Sequence, residues 1–131
     1  MIKIIRCAED AATVIRPAFP KRLFSAQECF AVMCLDAKNK TISKPKIVAI
    51  GTLTNVSVRP RDIFREAIRI NAVGIIIAHN HPSGDLSISR DDKIITQRLT
   101  EAANLLEIKL LDHLIITKQS YFSFCDNNLL G

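Results

Sequence analysis

An apolar run followed at once by two histidines constrains the fold of this chain more than any other feature. The run covers residues 73–78, and His79 and His81 stand directly after it. Side chains alternate along extended backbone, so histidines two residues apart point to the same side. Two such imidazoles can contact one metal ion together, and a carboxylate beyond the next turn can join them. The pattern predicts a buried strand that ends at a metal site.

The spacing alone does not identify the third ligand. Asp85, Asp91 and Asp92 all follow the turn that contains proline and glycine. Ser89 and Asp92 also have the S-x-x-D spacing of a capping box, in which the serine caps a helix and the acid bonds back to the cap N–H. Asp92 is thus either a candidate metal ligand or a capping residue. Ser89 is either a helix cap or a hydrogen-bond donor to an oxyanion that develops beside the metal. Two nitrogens and one oxygen suit zinc, and three protein ligands leave a position for water, as at catalytic sites.

The order of apolar and amphipathic segments predicts an α/β (α+β) fold, with a mixed central sheet flanked by helices. Strands are predicted over residues 29–36, 46–50, 73–78, 109–117 and 120–124, and helices over 60–70 and 89–106. Apolar residues at helical spacing predict that the second helix buries a face extending to Leu106.

Length and composition indicate one domain over residues 1–131. Apolar residues make up 48% of the chain, enough for a core without disulfides. We expect no targeting segment, because charges interrupt the apolar residues of the N-terminus, and no apolar run approaches the roughly 20 residues that span a bilayer. The four cysteines are therefore predicted to be reduced thiols of a cytoplasmic protein, with Cys29 and Cys34 on opposite sides of one strand.

The net charge of +5 permits an acidic partner, nucleic acid included. Four arginines lie close together around the first predicted helix: Arg59, Arg61, Arg65 and Arg69. Asp62 and Glu66 dilute their charge, so this helix face is either a solvated surface or a nucleic-acid contact. The letters HNH at 79–81 do not indicate an HNH nuclease, because those residues are dispersed along the chain in that class.

Two further places in the sequence carry candidate polar groups. Glu28 stands at the start of a buried strand, where it is either a solvated strand end or a base for a metal-activated water. Asp112 and His113 interrupt the apolar run 110–116. They are either a satisfied core pair or a group that orients a ligand histidine.

The stretch HNHPSGDLSISRDD at 79–92 resembles the JAMM pattern of the MPN+ metalloprotease-like domains. The pattern is H-x-H-P, six residues, S, two residues and D, and it is matched without a gap by His79, His81, Pro82, Ser89 and Asp92. The segments 34–40, 51–53, 60–85 and 110–116 resemble the bacterial RadC family. The resemblance covers residues 22–125 and implies that residues 1–21 are an N-terminal extension of this domain.

This resemblance implies a sheet-and-helix fold similar to cytidine deaminase-like proteins. It implies one Zn²⁺ ion held by His79, His81 and Asp92, with Ser89 assisting the transition state and Glu28 as general base. The implied activity is hydrolysis of a peptide or isopeptide bond in a protein or peptide substrate. The alternative is a DNA repair-associated or nucleic-acid-binding module with a non-catalytic metal.

RadC proteins usually carry a helix-hairpin-helix region ahead of this domain. We expect none within the twenty or so residues that precede the resemblance here, which leaves a direct DNA repair role open. The oligomeric state, a homodimer included, is also left open by the sequence.

Overall fold

A five-stranded mixed β-sheet forms the centre of the protein in a computed structural model, which describes residues 3–51 and 57–130. Its strands are β1 (Glu28–Leu35), β2 (Lys46–Gly51), β3 (Gly74–Asn80), β4 (Lys109–Ile116) and β5 (Tyr121–Ser123). They lie in the order β2-β1-β3-β4-β5. Strands β3 and β4 are parallel, and the other neighbouring pairs are antiparallel. The predicted fold class, a mixed sheet flanked by helices, is confirmed.

The helices are α1 (Ala8–Ile15), α2 (Lys21–Phe24), α3 (Pro60–Arg69) and α4 (Arg90–Leu106), with a 3₁₀ turn at Arg16–Ala18. After α4, Glu107 adopts a left-handed conformation (φ 58°), which ends the helix. The prediction that Leu106 belongs to the buried face is wrong. Its side chain is 42% exposed, because the helix ends there and the chain turns away toward β4.

Both faces of the sheet are covered, and β1 shows this directly. Phe30, Val32 and Cys34 belong to the core under α3 and α4, whereas Cys29 and Met33 belong to the core under α1. A strand buried on both faces must be apolar at every position, which explains the near-continuous apolar runs of β1 and β3. Cys29 and Cys34 therefore lie on opposite faces, and all four cysteines are free thiols.

The segment before residue 22 supplies one layer of the fold. Ala12, Ile15 and Phe19 are almost completely buried in the core on the α1 side of the sheet. Arg16 donates to the main-chain carbonyls of Thr117 and Ser120, which joins this segment to the turn between β4 and β5. The segment predicted as an extension is thus packed against the sheet along its apolar face.

The topology brings the end of β3, the start of β1 and the first turn of α4 to one edge of the sheet, together with their polar side chains. Helix α4 connects the parallel strands β3 and β4, so its first turn lies beyond the carboxyl end of β3. Strand β1 runs antiparallel to β3 with Phe30 opposite His79, and continuing that register brings Glu28 level with His81. In residues 3–51 and 57–130, no helix has the length and hydrophobicity needed to cross a bilayer.

Candidate metal centre

His79 and His81 converge at the end of β3. Their Nε2 atoms are 3.0 Å apart. The His79 side chain is 3% exposed and the His81 side chain 14%, so the first lies under the second at the bottom of an opening. The ring of Phe30 stacks parallel to that of His79, with the centroids 5.9 Å apart, and limits its orientation.

Asp92 faces both histidines from the first turn of α4. Its Oδ1 is 3.1 Å from His79 Nε2, and its Oδ2 is 3.3 Å from His81 Nε2. The same carboxylate accepts the Ser89 N–H at 3.0 Å, while Ser89 Oγ accepts the Asp92 N–H at 3.0 Å. The carboxylate of Asp92 therefore takes part in the capping box and also contacts both histidines. The two interpretations of Asp92, as a cap residue and as a candidate ligand, are compatible.

The other two acidic candidates have different surroundings. The carboxylate of Asp85 accepts the N–H and the hydroxyl of Ser87. These hydrogen bonds lower the pKa of Asp85 and use its side chain within the loop. Asp91 is exposed on α4. Of the three aspartates that the sequence offered, Asp92 is the one whose carboxylate contacts both histidines.

The second nitrogen of His81 is fixed by the loop that follows it. Nδ1 lies 2.7 Å from the carbonyl oxygen of Asp85. A carbonyl can only accept, so Nδ1 carries the hydrogen and the lone pair of a neutral ring is left on Nε2. The hydrogen bond to Asp92 raises the pKa of His81 against the effect of its burial. Burial would raise the pKa of Asp92, but hydrogen bonds from His79 and His81 outweigh it and lower that pKa.

Glu28 completes the cluster from the start of β1. Glu28, His79 and His81 can each present one ligand atom within 4.8 Å of the others. The two histidines are thus shared by two overlapping donor sets, one with Asp92 and one with Glu28. Both sets consist of nitrogen and oxygen donors that suit a metal ion, and we regard the group as a candidate metal-binding site.

The cluster opens onto a groove of about 710 Å³. Glu28, Ser89 and Asp91 line it together with His81 and the exposed side of Asp92. Ser89 uses an oxygen lone pair in the helix cap, which leaves its hydroxyl hydrogen available to another partner. Four of the five residues assigned to the site from the sequence thus line one opening, and the fifth, His79, lies beneath His81.

Asn80 anchors the chain that leads to Glu28. Its side-chain amide donates to the carbonyls of Phe24 and Gln27 at 2.8 and 3.0 Å, and its Oδ1 accepts the Cys29 N–H at 2.6 Å. The residue is completely buried. Its position between the two histidines sends its side chain to the opposite face of β3, toward β1. The same strand therefore holds the two imidazoles on one side and the approach to Glu28 on the other.

We expect Asn80→Ala to lower the free energy of unfolding by about 2–4 kcal/mol, because the buried Cys29 N–H and two partly buried carbonyls would lose their partner. Chemical denaturation followed by circular dichroism would measure it. Asn104→Ala, at an exposed position on α4, is the matched control and should change stability by less than about 0.5 kcal/mol. Equal stability of the two variants would contradict the anchoring role.

Asp112 and His113 have separate surroundings. Asp112 accepts the Ser123 hydroxyl and the N–H groups of His113 and Cys125, so it is a satisfied buried carboxylate whose pKa is raised by burial. His113 is fully buried, and its Nε2 lies 2.9 Å from Nδ1 of His79. Burial lowers the pKa of His113 well below its usual range. One half of the pair thus belongs to the core and the other half contacts the candidate metal centre.

Sequence reasoning missed Thr96, whose hydroxyl lies 2.6 Å from Nδ1 of His113. The available signal was a polar residue on the apolar face of α4, between Ile95 and Leu99. A threonine in that place is also satisfied by bonding its own helix backbone, so the pattern could not distinguish the two uses.

The arginines around α3 form ion pairs close to them in sequence. Arg59 and Arg65 both contact Asp62, and Arg69 contacts Glu66. Their charge is therefore partly balanced on the helix itself. Nucleic-acid binding by Arg59, Arg61, Arg65 and Arg69 stays a prediction.

Two histidines and two carboxylates at one edge of a mixed, helix-flanked sheet define an α/β domain with a candidate metal centre. The family model for the RadC-like JAB domain matches residues 5–129. This chain belongs to the RadC family, and its sheet and helices are consistent with a JAB/MPN fold.

Three relatives, each called a UPF0758 protein, show how far the similarity extends. The chain is 39% identical over 115 residues to one from Thermotoga maritima, covering 88% of this chain and 51% of the relative. It is 45% identical over 101 residues to one from Haemophilus ducreyi, covering 77% and 45%. It is 43% identical over 120 residues to one from Geobacillus thermodenitrificans, covering 92% and 51%. The chain spans about half the length of the curated relatives it matches.

Proposed function

We propose that this protein is a zinc-dependent hydrolase that cleaves an amide bond, either peptide or isopeptide. The observation that carries the proposal is the arrangement of His79, His81 and Asp92 around one point, with the carboxylate of Glu28 beside it in an open groove. A metal set with a neighbouring unused carboxylate suits metal-assisted amide hydrolysis, in which water is polarised and deprotonated at the same place.

The donor spacing supports zinc as the ion. Ligand atoms around a tetrahedral zinc ion stand roughly 3.3 Å apart, given bond lengths of about 2.0–2.1 Å. His79 Nε2 lies 3.0 Å from His81 Nε2 and 3.1 Å from Oδ1 of Asp92, and the other oxygen of that carboxylate, Oδ2, lies 3.3 Å from His81 Nε2. The set of two nitrogens and one oxygen also leaves a position for substrate or water, as catalytic zinc sites do.

The chain's own residues would divide the chemistry as follows. His79, His81 and Asp92 would hold the ion, which would supply a Lewis acid that polarises the substrate carbonyl and acidifies the attacking water. Glu28 accepts the proton of the attacking water and delivers it to the leaving amine. Ser89 donates its hydroxyl hydrogen to the carbonyl oxygen as negative charge develops there. The groove of about 710 Å³ would receive the substrate segment that carries the scissile bond.

Metal analysis combined with a cleavage screen tests the proposal. We expect the purified protein to bind one zinc ion per chain and to cleave members of a peptide and isopeptide panel. His81→Ala should lose both properties, because it removes a ligand on the groove side of the centre. Stoichiometric zinc without turnover of either bond type would favour a non-catalytic metal module, and absence of zinc from the wild type would refute the proposal.

A further inference from the structure

A chain of hydrogen bonds joins one proposed zinc ligand to the backbone of another. Nδ1 of His79 lies 2.9 Å from Nε2 of His113, and Nδ1 of His113 lies 2.6 Å from Oγ1 of Thr96. The Thr96 hydroxyl also lies 2.7 Å from the carbonyl oxygen of Asp92. All members are buried, so each contact has to be a proper donor–acceptor pair.

The donors and acceptors of this chain can be assigned from its two ends. An imidazole that binds metal through Nε2 carries its hydrogen on Nδ1, so His79 donates and His113 Nε2 accepts. His113 then carries its own hydrogen on Nδ1 and donates to the oxygen of Thr96. The single hydroxyl hydrogen of Thr96 goes to the Asp92 carbonyl, which can only accept. Every contact is satisfied in this one direction.

The opposite direction would interfere with metal binding. If Thr96 donated to His113, the hydrogen of His113 would lie on Nε2 and point at His79. His79 would then have its lone pair on Nδ1 and a hydrogen on Nε2, the atom that faces Asp92 and His81. The direction of the chain thus decides whether the metal-facing nitrogen offers a lone pair.

We propose that His113 and Thr96 are positioning residues that fix the ring orientation and tautomer of His79, so that its Nε2 is held ready for the metal ion. This inference rests on the proposed function, since it assumes that His79 is a ligand. Ligating histidines usually donate to a carboxylate, a carbonyl or water. Here a neutral ring accepts, stacked on Phe124 with the centroids 4.6 Å apart.

Zinc affinity, measured by competition with a chelator, tests the proposal without reference to activity. Thr96→Val and His113→Phe preserve shape and, in the second case, the aromatic stacking, but remove the hydrogen bonds. We expect each to weaken zinc binding by about 10–100-fold, the usual effect of losing a partner of a ligating histidine. Thr96→Ser retains the hydroxyl and His113→Gln retains an acceptor for His79. Both variants should therefore bind zinc within about threefold of wild type.

The tautomers can be observed directly by long-range ¹H–¹⁵N spectra, because the chain has three histidines. In the zinc-loaded protein we expect the Nδ1–H form for both His79 and His113. In metal-free Thr96→Val, His113 should shift to the Nε2–H form, a change that a merely structural role for Thr96 would not produce.

The outcomes separate this inference from the proposed function. Zinc bound equally well by wild type, Thr96→Val and His113→Phe would overturn the positioning role and leave the metal site intact. An Nε2–H signal from His113 in the loaded protein would do the same. A wild-type protein that binds no zinc would overturn both proposals together.

Discussion

Glu28→Gln is expected to keep one zinc ion per chain while lowering the rate of amide cleavage by about 10²–10⁴-fold, the usual contribution of a general base. The amide has nearly the same shape as the carboxylate but cannot accept the proton of the attacking water. The variant therefore removes the proposed chemistry and leaves His79, His81 and Asp92 unchanged. Metal content by mass spectrometry and initial rates on the best substrate of the panel would measure both quantities.

This experiment also distinguishes the two donor sets at the centre. If Glu28 is itself a metal ligand with His79 and His81, a grouping that the geometry permits, the variant should lose zinc along with activity. Glu101→Gln, at an exposed position of α4 outside the lining of the groove, is the matched control and should leave the rate and the zinc content unchanged. An equal loss of rate in both variants would contradict a specific role for Glu28.

Asp92→Asn is expected to weaken zinc binding by more than the roughly 10–100-fold that follows the loss of an outer partner, since it removes a charged ligand. The side-chain oxygen of the introduced asparagine can still accept the Ser89 N–H, so the helix cap is largely kept. Asp91→Asn is the matched control, one residue away on the same turn but exposed and directed to the groove. Chelator competition on the two variants measures the difference.

Two outcomes for the variants Asp91→Asn and Asp92→Asn would contradict coordination by Asp92. If zinc affinity falls equally for Asp91→Asn and Asp92→Asn, the effect is one of total charge near the helix N-terminus rather than of coordination. If it falls for neither, the third ligand is Glu28. Thermal unfolding of both metal-free variants would check that the capping box survives, because the loss of a cap alone costs about 1 kcal/mol.

Much of the fold could be predicted from the sequence, because two kinds of local signal are strong in it. The buried strands β1 and β3 are apolar at nearly every position, and α3 begins at a proline and is followed by a left-handed Asn71 (φ 57°). Both features are local, so they can be read without knowledge of the partner elements. The end of α4 at Leu106 agrees with the prediction, but the exposure of that side chain depends on where the chain turns toward β4.

The candidate site was predictable only in part, for a related reason. His79 and His81 share a strand end, and their common direction follows from the alternation of side chains. The contacts of Asn80 with Phe24 and Gln27, and of His113 with His79, join residues more than thirty positions apart. No local pattern encodes such distances. They appear once β1 and β4 take their places on either side of β3.

The N-terminal helix has a practical consequence for anyone who trims this protein. A fragment cut to the motif-bearing region, starting at residue 22, would strip Ile15 and Phe19 from one side of the sheet and bare the apolar surface beneath them. Such surfaces promote aggregation. The folding of the sheet that carries the histidines thus depends on a helix that supplies no side chain to the candidate metal centre. Inactivity of such a fragment would therefore not test the roles of the metal-site residues.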